Sequence, residues 1–97
     1  MSKERYVAYP AVLDDTENEK DFFTVTFPDV PGAISEGRGE AAIVGGQTAL
    51  GLVLFDEEDL PKASSLAAIQ KANPGKKVVL IAVDLSEATK KAKRIGA

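Results

Sequence analysis

The sequence predicts an α+β fold, a small antiparallel or mixed sheet with one main helix packed on it. Three stretches carry the prediction. Between Phe22 and Phe27 the residues alternate, with Phe23, Val25 and Phe27 on one side and Phe22, Thr24 and Thr26 on the other, the period of a half-buried strand. From Glu40 to Asp56 the apolar residues fall at helical spacing. Val78 to Val83 is a short continuous apolar run, the signature of a strand buried on both faces and able to pair in parallel with an earlier one.

The first strand is expected at Tyr6 to Leu13, where β-branched and aromatic residues precede a polar stretch. Pro10 cannot donate to a ladder, so it calls for an edge, a bulge or an open site on one side. Asp14 to Asp21 (DDTENEKD) reads as a charged hairpin connection. Its carboxylates are of the type that binds hard cations, but the spacing lacks the D-x-[DN]-x-[DN]-G loop, and an acidic loop that keeps the hairpin hydrated explains the same residues.

After the second strand, Pro28-Asp29-Val30-Pro31-Gly32 removes two backbone donors and offers a glycine able to adopt positive φ, so the chain must turn. Ala33 to Glu36 then returns as a short antiparallel strand. In the following helix, Ala42, Ile43, Gly46, Ala49, Leu50, Val53 and Leu54 share a face suited to the sheet. Ala41, Val44, Leu52 and Phe55 lie opposite, separated from it by the narrow polar strip of Glu40, Gln47 and Gly51. A helix apolar on both sides needs a second cover, and Val44, Leu52 and Phe55 are its candidate oligomer interface. Gly45, Gly46 and Gly51 each cost the helix about 1 kcal/mol relative to alanine, so they call for close backbone approach or local irregularity.

Asp56-Glu57-Glu58-Asp59 places four carboxylates at the helix C-terminus, where the helix dipole disfavours them. Solubility is one reason for such a run and a basic partner another. Ser64 or Ser65 can cap a short helix through Ala72, closed by Asn73-Pro74-Gly75. Beyond the last strand, Ser86 and Glu87 followed by Lys90, Lys91, Lys93 and Arg94 read as a capped terminal helix with charges matched to its dipole.

With 97 residues, 44% of them hydrophobic, the chain is expected to form one domain over residues 1–97 with a limited core. The net charge of −3 and pI near 4.9 argue against a general polyanion binder. There is no cysteine and no histidine. Thiol chemistry, disulfides and the usual neutral-pH base are therefore excluded, and no cofactor or metal is expected. No apolar run reaches the ~18 residues of a membrane span and no signal-peptide core follows Met1. A soluble, cytoplasmic, non-enzymatic protein is the expectation.

The run FTVTFPDVPGAISEG, preceded by a strand containing Tyr9-Pro10-Ala11 and followed by a helix and the acidic patch before Leu60-Pro61, resembles the HicB antitoxin family of HicAB toxin-antitoxin systems. The resemblance covers about Tyr6 to Leu85 and includes no catalytic residue. It implies a partial ribonuclease H-like fold, with the first strand inside the sheet. It also implies a partner, a small basic ribonuclease toxin of the HicA type whose RNA-binding face the antitoxin covers. Longer family members continue into a DNA-binding segment, and the expectation here is a short form without one.

Protein binding is thus the leading reading, with Phe55, Asp56, Glu57, Glu58 and Asp59 as partner-contact candidates by charge and apolarity. Self-association as a dimer or a dimer of dimers is expected alongside it. The alternative is an RNA-binding module that uses the sheet face with Phe22 and the basic residues Lys90, Lys91, Lys93 and Arg94. One outward phenylalanine and an acidic total fall short of a stacking platform, so nucleic-acid binding should be weak. A metal-dependent nuclease would need carboxylates converging at strand ends, whereas those here cluster in connections.

Overall fold

The computed structural model describes residues 6–15, 20–55, 57 and 59–86. In chain order the elements are β1 (Tyr6–Asp14), β2 (Phe22–Thr26), β3 (Ile34–Arg38), α1 (Glu40–Leu54), α2 (Leu66–Ala72) and β4 (Lys77–Asp84). The four strands form one sheet in the order β3-β2-β1-β4, antiparallel at every junction. This corrects the parallel pairing expected for the last strand. The α1–α2 connection returns the chain so that β4 runs against β1, from Leu13 opposite Lys77 to Tyr6 opposite Asp84. It also corrects the expectation that this strand is buried on both faces, since β4 is an edge and Leu80 is 57% exposed.

Partners in an antiparallel register share a face, so the register sorts the sheet's side chains. Tyr9, Ala11, Leu13, Val25 and Ile81 lie on one face, all buried, and with Phe27, Leu50, Leu54 and Leu85 they form the core beneath α1. Hydrophobic alternation in β2 thus does what the pattern predicted. Val12 lies on the opposite face, where α2 packs on β4 and β1. Val12 and the α2 residue Ile69 are buried there, outside the main cluster.

Two glycines bring α1 down onto the sheet. A Cβ on Gly46 would stand 2.9 Å from Ile81 Cδ1 and 3.3 Å from Phe27 Cζ, and one on Gly45 would collide with Ser35 Oγ. Of the two readings of these glycines, close approach is the one realised. Gly51 is buried rather than part of a polar strip, because a residue without a side chain carries no hydropathic signal of its own. At the two-proline turn, Val30 N–H donates to the Phe27 carbonyl and Ala33 N–H to the Val30 carbonyl. Positive φ is taken by Gly39 and Gly75 among the described glycines, so Gly32 turns the chain without it.

Pro10 is fully buried in a central strand, yet the β1–β4 register passes through it without a bulge. β2 pairs with β1 only from Val12 to Asp14. The Ala82 carbonyl on β4 accepts a bond of 2.9 Å from Gln47 Nε2 of α1, which places it on the strand's outer side. Leu80 shares that orientation by alternation, so its partner Pro10 directs its missing N–H away from β4, where β2 has already left the ladder.

Candidate functional site

The acidic run predicted to meet a partner follows directly from α1. The helix has Glu40 in its first turn and no basic residue in its last, and its final backbone donors are those of Phe55 to the Gly51 carbonyl (2.9 Å) and Glu57 to the Leu54 carbonyl (3.1 Å). Glu57 and Asp59 are exposed, while Asp56 and Glu58 lie outside the described residues. Phe55, expected as an exposed apolar contact, is half-buried instead, because the helix ends on the buried Leu54 and the next residue stays close to the core.

Two long-range contacts hold the chain just beyond this run. The Tyr9 hydroxyl donates to the Pro61 carbonyl at 2.6 Å. The Asp29 carboxylate accepts twice from Ser64, at 2.7 Å from the backbone N–H and at 2.7 Å from the hydroxyl. Burial, with the negative charge of Asp29 nearby, raises the Tyr9 pKa above its ordinary value. Ser65 is then free to cap α2, accepting from the Ala68 N–H at 3.1 Å. The segment from Leu54 to Ser64 is therefore anchored by the helix end on one side and by Pro61 and Ser64 on the other, with Glu57 and Asp59 exposed between them.

Neither tether was anticipated from the sequence. Asp29 read as a turn residue and Ser64 only as one of two possible caps, and nothing local couples positions 35 residues apart. The one available signal is the doublet Ser64-Ser65: one hydroxyl is enough to cap a helix, which leaves the other for a second task.

A second surface is apolar. Val44 and Leu52 are 60% and 55% exposed, as expected for the outer side of α1, and Ile34 on edge strand β3 is 62% exposed. Between them lies an open groove of about 410 Å³ lined by Ile34, Ser35, Gly45, Thr48, Leu52 and Val53, among others. The residues singled out for nucleic-acid binding are not brought together. Phe22 is half-buried with the Arg38 guanidinium 5.9 Å from its ring centre, and Lys90, Lys91, Lys93 and Arg94 lie outside the described residues. Among the described residues no group of three or more Asp or Glu is placed to hold a metal ion, and no helix is long and apolar enough to cross a membrane.

A family model described as the HicB-like antitoxin of bacterial toxin-antitoxin systems matches residues 9–97. Among curated proteins none matches significantly. Two solved structures are similar in fold. One is a toxin-antitoxin complex from Streptococcus pneumoniae, with a TM-score of 0.66 and 24% identity over 86% of this chain and 72% of that one. The other is the N-terminal domain of the Burkholderia pseudomallei antitoxin HicB, with a TM-score of 0.60 and 23% identity over 77% of this chain and 95% of that one.

Proposed function

Because the chain belongs to the HicB-like antitoxin family of bacterial toxin-antitoxin systems, we propose that it acts in the cytoplasm by binding and neutralising a small, basic ribonuclease toxin of the HicA type. The observation that carries this reading is the tethered acidic segment after α1. A surface that binds RNA is built for negative charge, and carboxylates on a segment anchored at its flanks can compete for it at lower entropic cost than carboxylates on a free loop. Asp56, Glu57, Glu58 and Asp59 are the proposed electrostatic contacts, with Phe55 packing beside them. Tyr9, Asp29 and Ser64 are positioning residues that act through the segment they hold.

The test is to coexpress the chain with the product of the gene immediately beside its own, which the reading expects to be a short basic protein, and to purify either protein by a tag. A stoichiometric complex in which RNA cleavage is suppressed is the expected result. Changing the four acidic residues together to Asn and Gln should weaken binding about tenfold or more at low salt, with the deficit shrinking as salt rises. Absence of a complex, or an affinity indifferent to both the substitutions and the salt, would refute the reading.

A further inference from the structure

We propose that the open middle of edge strand β4 takes up an extended, acidic segment of a partner protein as a fifth strand. This inference is independent of the antitoxin reading.

An edge strand exposes one row of backbone donors and acceptors, and proteins ordinarily cover or blunt it. β4 is closed only at its ends. At one end Gln70 Nε2 donates to the Lys76 carbonyl at 2.9 Å, and at the other Gln47 Nε2 donates to the Ala82 carbonyl at 2.9 Å. The outward orientation of Ala82 extends by alternation to Leu80 and Val78, which stand opposite Pro10 and Val12. Between the two glutamines the N–H and C=O groups of Val78 and Leu80 therefore face away from β1, with no hydrogen-bond partner among the described residues. Such a row is where an extended peptide adds. Leu80, 57% exposed, supplies an apolar contact at its centre.

Charge selects the occupant. Of the chain's 15 carboxylates, 13 lie in residues 1–59, and from Leu60 to Val83 there is none, against four lysines. Lys76 pairs with Asp14 at 2.9 Å, whereas Lys62, Lys71 and Lys77 are exposed and make no ion pair among the described residues. α1, which also packs on β4, adds no charge from Ala41 to Leu54. Asp84 closes the strand with its carboxylate accepting from the Ser86 N–H at 2.9 Å. The open groups thus lie among positive and apolar side chains, which favours carboxylates on the incoming strand and opposes a basic one.

Two other occupants fit less well. A second copy does not bring the charge, because no strand of this chain carries more than one carboxylate. Nucleic acid brings the charge without the pairing, since its phosphates accept hydrogen bonds and offer no donor to the Leu80 carbonyl.

The test is an NMR titration of the full chain with a blocked peptide of alternating Glu and Val, 8 residues long like β4, and with its Lys and Val counterpart. The acidic peptide should give saturable amide shifts centred on Val78 to Ala82, and the basic one should bind about tenfold more weakly or less. Leu80→Pro removes an N–H on the outer side only and leaves the ladder to β1 intact. It should abolish these shifts while circular dichroism shows the fold retained. Lys71→Glu and Lys77→Glu together should weaken the acidic peptide about tenfold or more, a deficit that shrinks with added salt; this variant keeps the test decisive if Leu80→Pro does not fold. Shifts absent from Val78 to Ala82, equal binding of the two peptides, or an oligothymidylate that binds here and survives Leu80→Pro would overturn the proposal. So would a dimer that dissociates in Leu80→Pro, since the edge would then belong to a second copy.

Discussion

Replacing Asp29 by alanine removes both hydrogen bonds that tether Ser64, each 2.7 Å long and each to a charged acceptor. Hydrogen bonds to charged groups contribute about 1.5–3 kcal/mol apiece. Both are partly exposed and share one carboxylate, which holds each to about 1–1.5 kcal/mol, so Asp29→Ala should cost about 2–3 kcal/mol. Ser64→Ala removes only the hydroxyl bond and should cost about 1 kcal/mol. In the Asp29→Ala background the Ser64 hydroxyl has lost its acceptor, and its removal should then cost nearly nothing. The coupling in a double-mutant cycle is therefore about 1 kcal/mol. Asp29→Asn, which keeps an acceptor for one of the two donors, should fall between wild type and alanine. Urea unfolding followed by circular dichroism measures all of these, and with slopes of about 1–3 kcal/mol/M the Asp29→Ala midpoint should drop by roughly 1–2 M. An Asp29→Ala variant within about 0.5 kcal/mol of wild type, or a Ser64→Ala cost equal in both backgrounds, would refute the tether.

Gly37→Ala should cost about 2–3 kcal/mol, because the new Cβ would lie 2.7 Å from Ala42 N and 2.8 Å from the Ala41 carbonyl carbon, both main-chain atoms that move only with the helix. Gly39→Ala meets nothing within 4 Å, so its cost comes from the backbone alone, φ 57 and ψ −128 being a conformation that L residues rarely adopt, and should be about 1–3 kcal/mol; a Gly37→Ala variant as stable as wild type would contradict this packing. For Tyr9, whose folded pKa is raised by burial and by Asp29, the neutral phenol is the form that folding favours. Its contribution to stability is full below the unfolded value near 10 and is lost as pH rises through the folded value. Phenolate absorbance should show Tyr9 ionising above the ordinary phenol value, and Tyr9→Phe should flatten the alkaline fall in stability, while an unchanged alkaline profile in Tyr9→Phe would count against the assignment. Binding to RNA or DNA probes should be weak near physiological salt, and a sequence-selective complex persisting at ~200 mM salt would restore the RNA-binding alternative.

What could be read in advance divides along the range of the interactions. Phe23, Val25 and Phe27 announce their strand because alternation is a property of adjacent residues, and the inward residues of α1 announce their face for the same reason. Val78 to Val83 misled because an apolar run says that a strand has two greasy faces, not that both are covered. Leu80 remains exposed at the edge, since α2 is only seven residues long and shields the end near Val12. Gly45 and Gly46 carried two meanings in sequence, and only the position of Ser35, Ile81 and Phe27 selects between them. The candidate site was legible as charge but not as architecture. Four consecutive acidic residues are visible to inspection, whereas the contacts that hold their loop join Tyr9 to Pro61 and Asp29 to Ser64 across 52 and 35 positions.

Neutralisation itself can be measured in cells that carry the gene immediately beside this one under an inducible promoter, the reading expecting that gene to encode the toxin. Inducing that gene alone should arrest growth, and coexpressing this chain should restore it. The variant with Asp56, Glu57, Glu58 and Asp59 changed to Asn and Gln should be present at the same level and fail to protect. Continued arrest in the presence of the wild-type chain, or full protection by the neutralised variant, would contradict the account.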